Sequence, residues 1–512
     1  MSRSTLQKAF ELHQAGRLDE AERIYEKFLT AAPEHAETLH LLGCLRLQRG
    51  RIDEALDLLR RAVDHEPLVG RYHEHLADAH HRAGRADLAE SEARLALRCD
   101  SSLHRPRNLL GLLALERGEA VEAIDWFSQA LRAKVPYADA MVNLSVALNR
   151  TGEFELSKDY AELALKVEPS NPKAWTNLGM ALRGLRRLAD AKAAFERAGA
   201  FPMARFNLGY CLLLEDDLAR GLPLCEERKR LLGLGLGKGM TIPEWYGGDA
   251  KQKRLLVLHE QGLGDTILTA RFLPEVRRRC RDLLVVVQPP LERLLAGAFP
   301  DLAFAAALPE GAADDFDLWC PAMSLPLLLG IDHADRIPNE PWIRLASARP
   351  RPAPAAAAGP GPARARVGLN WAGNPSYAYD AIRSTSLDHL RPLLAIEGID
   401  WISLHKGCRE VEAERLGLPQ PLRDAADFAD TAEVLAGLDC VVSTETAVPN
   451  LSAAMGIPTI VLTMPDYDWR WRSWYPGVTV CDQDSVGDWE SAVAKAAAAL
   501  RACLAARAAA DP

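Results

Sequence analysis

At 512 residues the chain is too long for one ordinary domain, and two or three are expected. Its 48% hydrophobic and 26% charged content is that of a soluble globular protein, and a net charge of −9 argues against nucleic acid as the main partner. The ten cysteines are scattered singly from Cys44 to Cys503 with no CxxC pair, which suits a reducing compartment better than a disulfide framework or a zinc site.

The opening "MSRSTLQKAFELHQ" reads as an amphipathic helix rather than a secretory signal. No apolar run approaches the ~20 residues of a membrane span, so the expected location is the cytoplasm. From there a period of 34 residues takes over: Gly16, Gly50, Gly84, Gly118 and Gly152, with Arg186 at the next step. Five residues after each stand Ala21, Ala55, Ala89, Ala123, Ser157 and Ala191. Leu42, Leu76, Leu110, Leu144 and Leu178 keep the same interval, as do Ala62, Ala96, Ala130, Ala164 and Ala198. Glycine turns one helix into the next, small residues let paired helices approach, and Tyr25, Leu59, Phe127 and Phe195 fill the space between neighbours. The pattern resembles the tetratricopeptide repeat, and an α-solenoid over residues 1–232 is expected. A seventh unit looks shortened, because Leu208 falls four residues before the expected 212.

Asn143, Asn177 and Asn207 precede the repeat leucine in the last three units. An amide donates and accepts at once, so such a row is a candidate for gripping the backbone of a peptide or protein acceptor; the alternative is three polar residues on exposed helix surfaces.

After "LLGLGLGKGM" the period stops, and residues 233–250 read as a hinge or linker. The stretch is not a Walker loop, since the required glycine would fall at Leu232. Apolar runs then alternate with helical patterns: "RLLVLH", "DLLVVVQ" and "DFDLWC", then "RVGLNW", "DWISLH", "DCVVST" and "PTIVL". This predicts two parallel, helix-covered sheets in doubly wound, Rossmann-like α/β lobes at 251–346 and 367–504 with a cleft between them. The Pro/Ala tract at 347–366 reads as a tether. The polar clusters follow predicted strands, where ligands of doubly wound sheets bind.

The pieces "PEWYGG", "HEQGLGDTI", "VGLNWAGNP", "SLHKG", "DFADTAEVLAGLD", "TETAVPNLSAAMG" and "DWRWRSWYP" span the second half in order. Together they resemble the GT-B glycosyltransferases of the bacterial heptosyltransferase family, glycosyltransferase family nine, in a form fused behind tetratricopeptide repeats. The layout is also similar to that of the O-linked N-acetylglucosamine transferases, a likeness of architecture. The resemblance implies inverting, metal-independent transfer from a nucleotide-diphosphate sugar, which is a substrate rather than a cofactor. It makes Asp265 the base that deprotonates an acceptor hydroxyl, against a local role as helix cap. Lys406 and Arg383 become phosphate clamps, and Thr446 and Ala447 offer a helix N-terminus to the donor. Gly262 and Gly264 shape the first loop, and Ile267 stands where a dinucleotide fingerprint needs its third glycine. Glu445 and Asn450 depart from the family's commoner Asp and His. These departures leave two readings of the whole: a transferase of hexosyl or heptosyl type whose acceptor is held by the repeats, and a non-catalytic scaffold with a degenerate transferase half that only binds.

The aromatic loop 468–476 reads either as a stacking surface for a sugar or base or as packing. Three DxD triplets, at Asp315–Asp317, Asp466–Asp468 and Asp482–Asp484, carry little information, and no metal site is expected. A glycosidase would need a second carboxylate opposite Asp265, and the sequence identifies none.

Overall fold

The computed structural model describes residues 3–132, 137–231, 240–308, 311–345, 364–375, 377, 380–465, 468–475 and 477–510. Two compact units divide between Leu178 and Gly179.

The first unit, Met1–Leu178, consists among its described residues of antiparallel helix pairs, beginning Arg3–Gln14 and Leu18–Ala31, then Ala36–Gln48 and Ile52–His65. The turn glycines are needed for their conformation: Gly16, Gly50, Gly84, Gly118 and Gly152 all have φ between 71° and 84°, a region closed to most side chains. The small residues five positions on, Ala21, Ala55, Ala89, Ala123 and Ser157, are all fully buried. Helix contact is tuned by volume. A Cβ built on Gly43 would lie 2.7 Å from Leu59 Cγ, and one on Gly111 would lie 2.5 Å from Phe127 Cε1. At the equivalent positions of the third and fifth pairs, Ala77 and Ser145 correspond to Ala93 and Ala161 instead. Bulk on one helix is thus matched by its absence on the other, which keeps the interhelical gap filled.

The second unit, Gly179–Pro512, contains the last repeat helices as well as both sheets. Two of its helix turns keep the left-handed backbone without glycine, at Arg186 (φ 60°) and Asp216 (φ 59°). Asp216 stands 30 residues after Arg186 rather than 34, so the shortening read from Leu208 is a real loss of four residues. Helices Pro202–Leu214 and Leu218–Cys225 do not end in a free solenoid face. Leu213, Leu214, Leu218 and Leu222 share one apolar core with Leu255 and Val257 of the first sheet, which is why the compact unit does not begin at residue 233.

The first sheet has β1 (Ala250–Leu258), β2 (Cys280–Val286), β3 (Ala303–Ala305) and β4 (Leu318–Pro321) in the order β3-β2-β1-β4, all parallel. The second has β5 (Ala365–Asn370), β6 (Ile399–Ser403), β7 (Cys440–Thr444), β8 (Thr459–Thr463) and β9 (Val478–Asp482) in the order β6-β5-β7-β8-β9, again all parallel. Every residue of β7 and β8 is buried, as expected for strands covered on both faces.

Two expectations need correction. Residues 240–250 are not a free hinge: Trp245 N donates to Trp319 O at 2.7 Å, Trp319 N donates to Pro243 O at 3.1 Å, and the Trp245 ring is buried. Most of the Pro/Ala tether lies outside the described residues, and its end is already strand, with Ala365 and Arg366 opening β5.

Over-packing a tight helix contact typically costs ~1–3 kcal/mol. The variant Gly111→Val should lose stability at the upper end of that range, because the Phe127 ring it meets is itself fully buried. Gly118→Ala, at an open turn where only backbone strain is added, should lose about 1 kcal/mol. Urea denaturation of the two variants side by side measures the difference.

Candidate functional site

The first loop runs from the carboxyl end of β1 into the helix Leu263–Ala270. Gly262 is the N-cap, and Asp265 sits three positions on, where its Oδ2 accepts Gly262 N at 2.9 Å. The capping role weighed for Asp265 is therefore present. Its other oxygen, Oδ1, accepts Arg470 Nη1 from the aromatic loop beyond the second sheet. Arg470 is shared: its Nε donates to both oxygens of Asp468 at 2.9 Å. Burial opposes the guanidinium charge, but Asp468 and Asp265 outweigh it and hold the Arg470 pKa well above its ordinary value. One cation thus bridges carboxylates from the two α/β lobes.

The same lobes meet backbone to side chain at Gly264. A Cβ built there would lie 2.8 Å from Asn450 Nδ2, so the glycine is required by the close approach of helices Leu263–Ala270 and Ala447–Ala454. Asn450 Nδ2 donates to Thr446 O at 2.7 Å, and its Oδ1 accepts Tyr475 OH at 2.5 Å. Thr446 is the N-cap of that helix, with Ala447 its first residue. Thr446 Oγ1 accepts Val448 N at 3.3 Å and Asn370 Nδ2 at 3.0 Å, which leaves its own O–H to donate. Asn370, the last residue of β5, also lies 3.3 Å through Oδ1 from His405 Nδ1.

Glu445 is half-buried, and one of its oxygens is engaged. Its Oε1 accepts Trp471 Nε1 at 2.9 Å and Asp468 N at 3.3 Å. Burial, reinforced by the charge of Asp468, pushes its carboxyl up to about 7. Arg383 lies near enough to oppose that rise, held by Asp380 at 3.4 Å and stacked 4.1 Å from the Tyr377 ring. Lys406 is exposed, three residues past β6, and its ammonium donates to Ala425 O. Asp265, Glu445, Thr446, Ala447, Gly262 and Gly264 therefore fall together at the carboxyl ends of the strands. Arg383 adjoins them, and Lys406 stands at the margin.

Beside the Asp265–Arg470 pair lies a cavity of about 100 Å³, enough for several waters or a small polar group. Its walls include Phe206 and Tyr210 of the last repeat helices, Arg228, Gln261, Asp468 and Trp469. Arg228 is tied to the first loop by a buried bidentate pair with Glu260, 3.0 Å from Nε to Oε2 and 2.8 Å from Nη2 to Oε1. Glu260 Oε1 also accepts Met323 N at 2.9 Å, which anchors the loop from below. Sequence reading passed over Glu260, Arg228, Asn370 and Arg470 as binding or positioning groups. The signal that was present is Arg470 alternating with Trp469 and Trp471, a charge set among residues bound for a core.

The aromatic loop is packing: Trp469, Trp471, Trp474 and Tyr475 are all buried, with Trp471 stacked on Tyr475 at 4.8 Å. Arg271 threads this cluster with no ion-pair partner among the described residues, its guanidinium 3.6 Å from the Trp342 ring and donating to Trp474 O at 2.6 Å. Burial brings its pKa down to about 10. The acidic triplets have other partners: Asp482 binds Arg186 at 2.6 Å, Asp484 binds Lys495 at 2.8 Å, and Asp317 accepts Arg254 N at 2.7 Å. Asp466 lies outside the described residues.

The asparagine row differs from both readings of it. Asn177 and Asn207 are buried, and their amide nitrogens serve the helices themselves. Asn177 Nδ2 donates to Val142 O at 3.0 Å and to Ser145 Oγ at 2.8 Å. Asn207 Nδ2 donates to Met203 O at 2.8 Å, and the half-buried Asn143 donates to Asn108 Oδ1 at 3.0 Å. The row stitches helices before it offers anything to a ligand.

This is a helical-repeat protein joined to paired parallel α/β sheets. Residues 2–66, 40–104 and 143–202 match tetratricopeptide repeat families, so the helical array is a tetratricopeptide array. Protein FlbA of Caulobacter vibrioides is similar to this chain at 27% identity over 510 residues, covering 90% of this chain and 83% of FlbA, so repeats and α/β region align together. The Hsc co-chaperone sgt12 of Aspergillus fumigatus is 34% identical over 87 residues, 17% of this chain and 26% of its own length. Among solved structures, the APC/C hetero-tetramer Cut9-Hcn1 matches 44% of this chain and 45% of that chain at 18% identity and a TM-score of 0.40. Among the described residues no helix is long and apolar enough to cross a membrane.

The raised Glu445 carboxyl has a measurable consequence. Below the unfolded value of 4.5 both states hold the proton; between there and about 7 only the folded state does, so this group's contribution to stability falls as pH rises through that window. Glu445→Gln removes the dependence. The variant should gain up to ~3 kcal/mol on wild type between pH 4.5 and 8, read from urea unfolding at each pH. Parallel pH profiles would show that the Glu445 carboxyl is not raised as described.

Proposed function

We propose that the α/β half is a GT-B glycosyltransferase, inverting and metal-independent, that moves a sugar from a nucleotide-diphosphate donor to an acceptor held by the tetratricopeptide array. The observation that carries the reading is the convergence of the Asp265 loop, beyond the first sheet, on Thr446, Glu445 and Arg470, beyond the second. In this reading the donor's phosphates take the Thr446 hydroxyl and the backbone N–H groups at Ala447, with Arg383 and Lys406 supplying positive charge. Lys406 must first leave Ala425 O, a small movement for an exposed side chain. Asp265 accepts the acceptor's proton as its oxygen attacks the anomeric carbon, and the nucleoside diphosphate leaves with the bonding pair. Arg470 would keep Asp265 aimed, and the cavity walled by Tyr210, Gln261 and Arg470 would admit the acceptor side chain.

A second reading, a non-catalytic scaffold that only binds, draws support from the same residues. Both oxygens of Asp265 are engaged, and Glu445 is held by Trp471.

The two readings separate in one experiment. The purified chain is screened for hydrolysis or transfer with UDP-, GDP- and ADP-sugars, alongside thermal shifts with the free nucleotides at millimolar concentration. The transferase reading expects turnover with at least one donor, reduced ~10²–10⁴-fold in a folded Asp265→Asn variant. No turnover and no shift with any nucleotide would leave the scaffold.

A further inference from the structure

Far from these residues in sequence, the first unit assembles three metal-ligating side chains. His40 and Cys44 lie one turn apart on the helix Ala36–Gln48, and His75 is on Gly70–Arg82, the corresponding helix of the next repeat. His40 Nε2 is 3.1 Å from His75 Nδ1 and 3.5 Å from Cys44 Sγ, and the three atoms all lie within 4.8 Å of one another. Zinc bonds of about 2.0–2.1 Å to nitrogen and 2.3 Å to sulfur, at tetrahedral angles, put ligand–ligand edges near ~3.4 and ~3.6 Å. Two of the three edges are therefore within a few tenths of an ångström of a tetrahedral face.

Charges of both signs lie nearby: Glu74, next to His75 in the chain, has a side chain only 12% exposed and stands 3.9 Å from Arg105. The Tyr72 ring, 4.6 Å from the His40 ring, fixes the imidazole from the other side. A packing role accounts poorly for the set, because a histidine–histidine contact needs no thiol at 3.5 Å.

We propose that His40, Cys44 and His75 bind one divalent zinc-class ion, with water in the fourth position, and so clip the second repeat to the third. Sulfur and imidazole ligands select zinc, cobalt or cadmium over magnesium or calcium. In the metal-free chain His75 Nδ1 donates to Arg71 O at 2.9 Å, so ligation exchanges that bond for the metal: the His75 proton moves to Nε2, the Cys44 thiol releases its proton to solvent, both imidazoles bind neutral, and no oxidation state changes.

The test uses the full chain and cobalt(II) as probe. One equivalent should produce a thiolate-to-cobalt charge-transfer band with tetrahedral d–d absorption, displaced by zinc but not by magnesium. Cys44→Ser should abolish the charge-transfer band, whereas Cys408→Ser, at an exposed cysteine, should leave it unchanged. His75→Gln should weaken binding by at least ~10²-fold, more than the loss of an outer partner of a metal ligand. Absence of the band in wild type, or its persistence in Cys44→Ser, overturns the proposal. Should Cys44→Ser fail to fold, His75→Gln at its half-buried position decides: unchanged affinity overturns the site.

Discussion

One shared guanidinium joins the two lobes of the α/β half at the candidate site. Arg470 stands between Asp265 of the first lobe and Asp468 of its own, and neither carboxylate is exposed enough to be neutralised by water alone. Removing one partner of such a pair leaves a buried charge uncompensated, at a cost that reaches ~3–5 kcal/mol for fully buried examples. Beside this clamp Gly264 lies against Asn450, and Asn450 reaches both Thr446 and Tyr475. The chemistry proposed for Asp265 and the packing of the two lobes are thus one constraint seen from two sides.

A second buried pair performs the equivalent task on the other flank. Arg228, from the end of the helical region, meets Glu260 in a bidentate contact with both side chains almost fully enclosed. Glu260 is five residues before Asp265, so the loop is fixed at one end by the short helix Arg228–Leu231 that follows the repeats and at the other by the second lobe. The apolar core running from Leu213 and Leu222 to Leu255 gives this arrangement its rigidity. The last repeat helices act structurally as part of the α/β unit, although their sequence is that of the solenoid.

Much of the architecture was legible before any coordinates. The spacing of turn glycines and buried alanines is a packing requirement repeated at fixed interval, and it persists because each pair of helices faces the same contact problem. Seven strands announced themselves as apolar runs, because strands covered on both faces are predominantly apolar. The two that did not, β3 and β9, are edge strands, one only three residues long and the other with Cys481 as its one buried residue. The same limit explains the candidate site. Asp265 and Thr446 stood out as turn residues beside strands, but the partner of each lies 76 to 205 residues away in sequence. The asparagine row was visible as a pattern, yet whether an amide faces a ligand or its own scaffold depends on helix rotation by a few tens of degrees.

What the sequence determined by itself was periodicity and layer type: the tetratricopeptide array, the parallel α/β class, the turn conformations, and the shortened seventh repeat. These follow from local rules, in which hydrophobic spacing and backbone sterics act over a few residues to one repeat. What only the tertiary structure decided was pairing. That Arg470 serves Asp265, that Arg228 serves Glu260, that His40 and Cys44 meet His75, and that the final repeat helices join the core of the first sheet are all long-range outcomes. Charge and volume complementarity between distant segments is satisfied collectively in the fold, and a one-dimensional pattern carries no record of which partners meet.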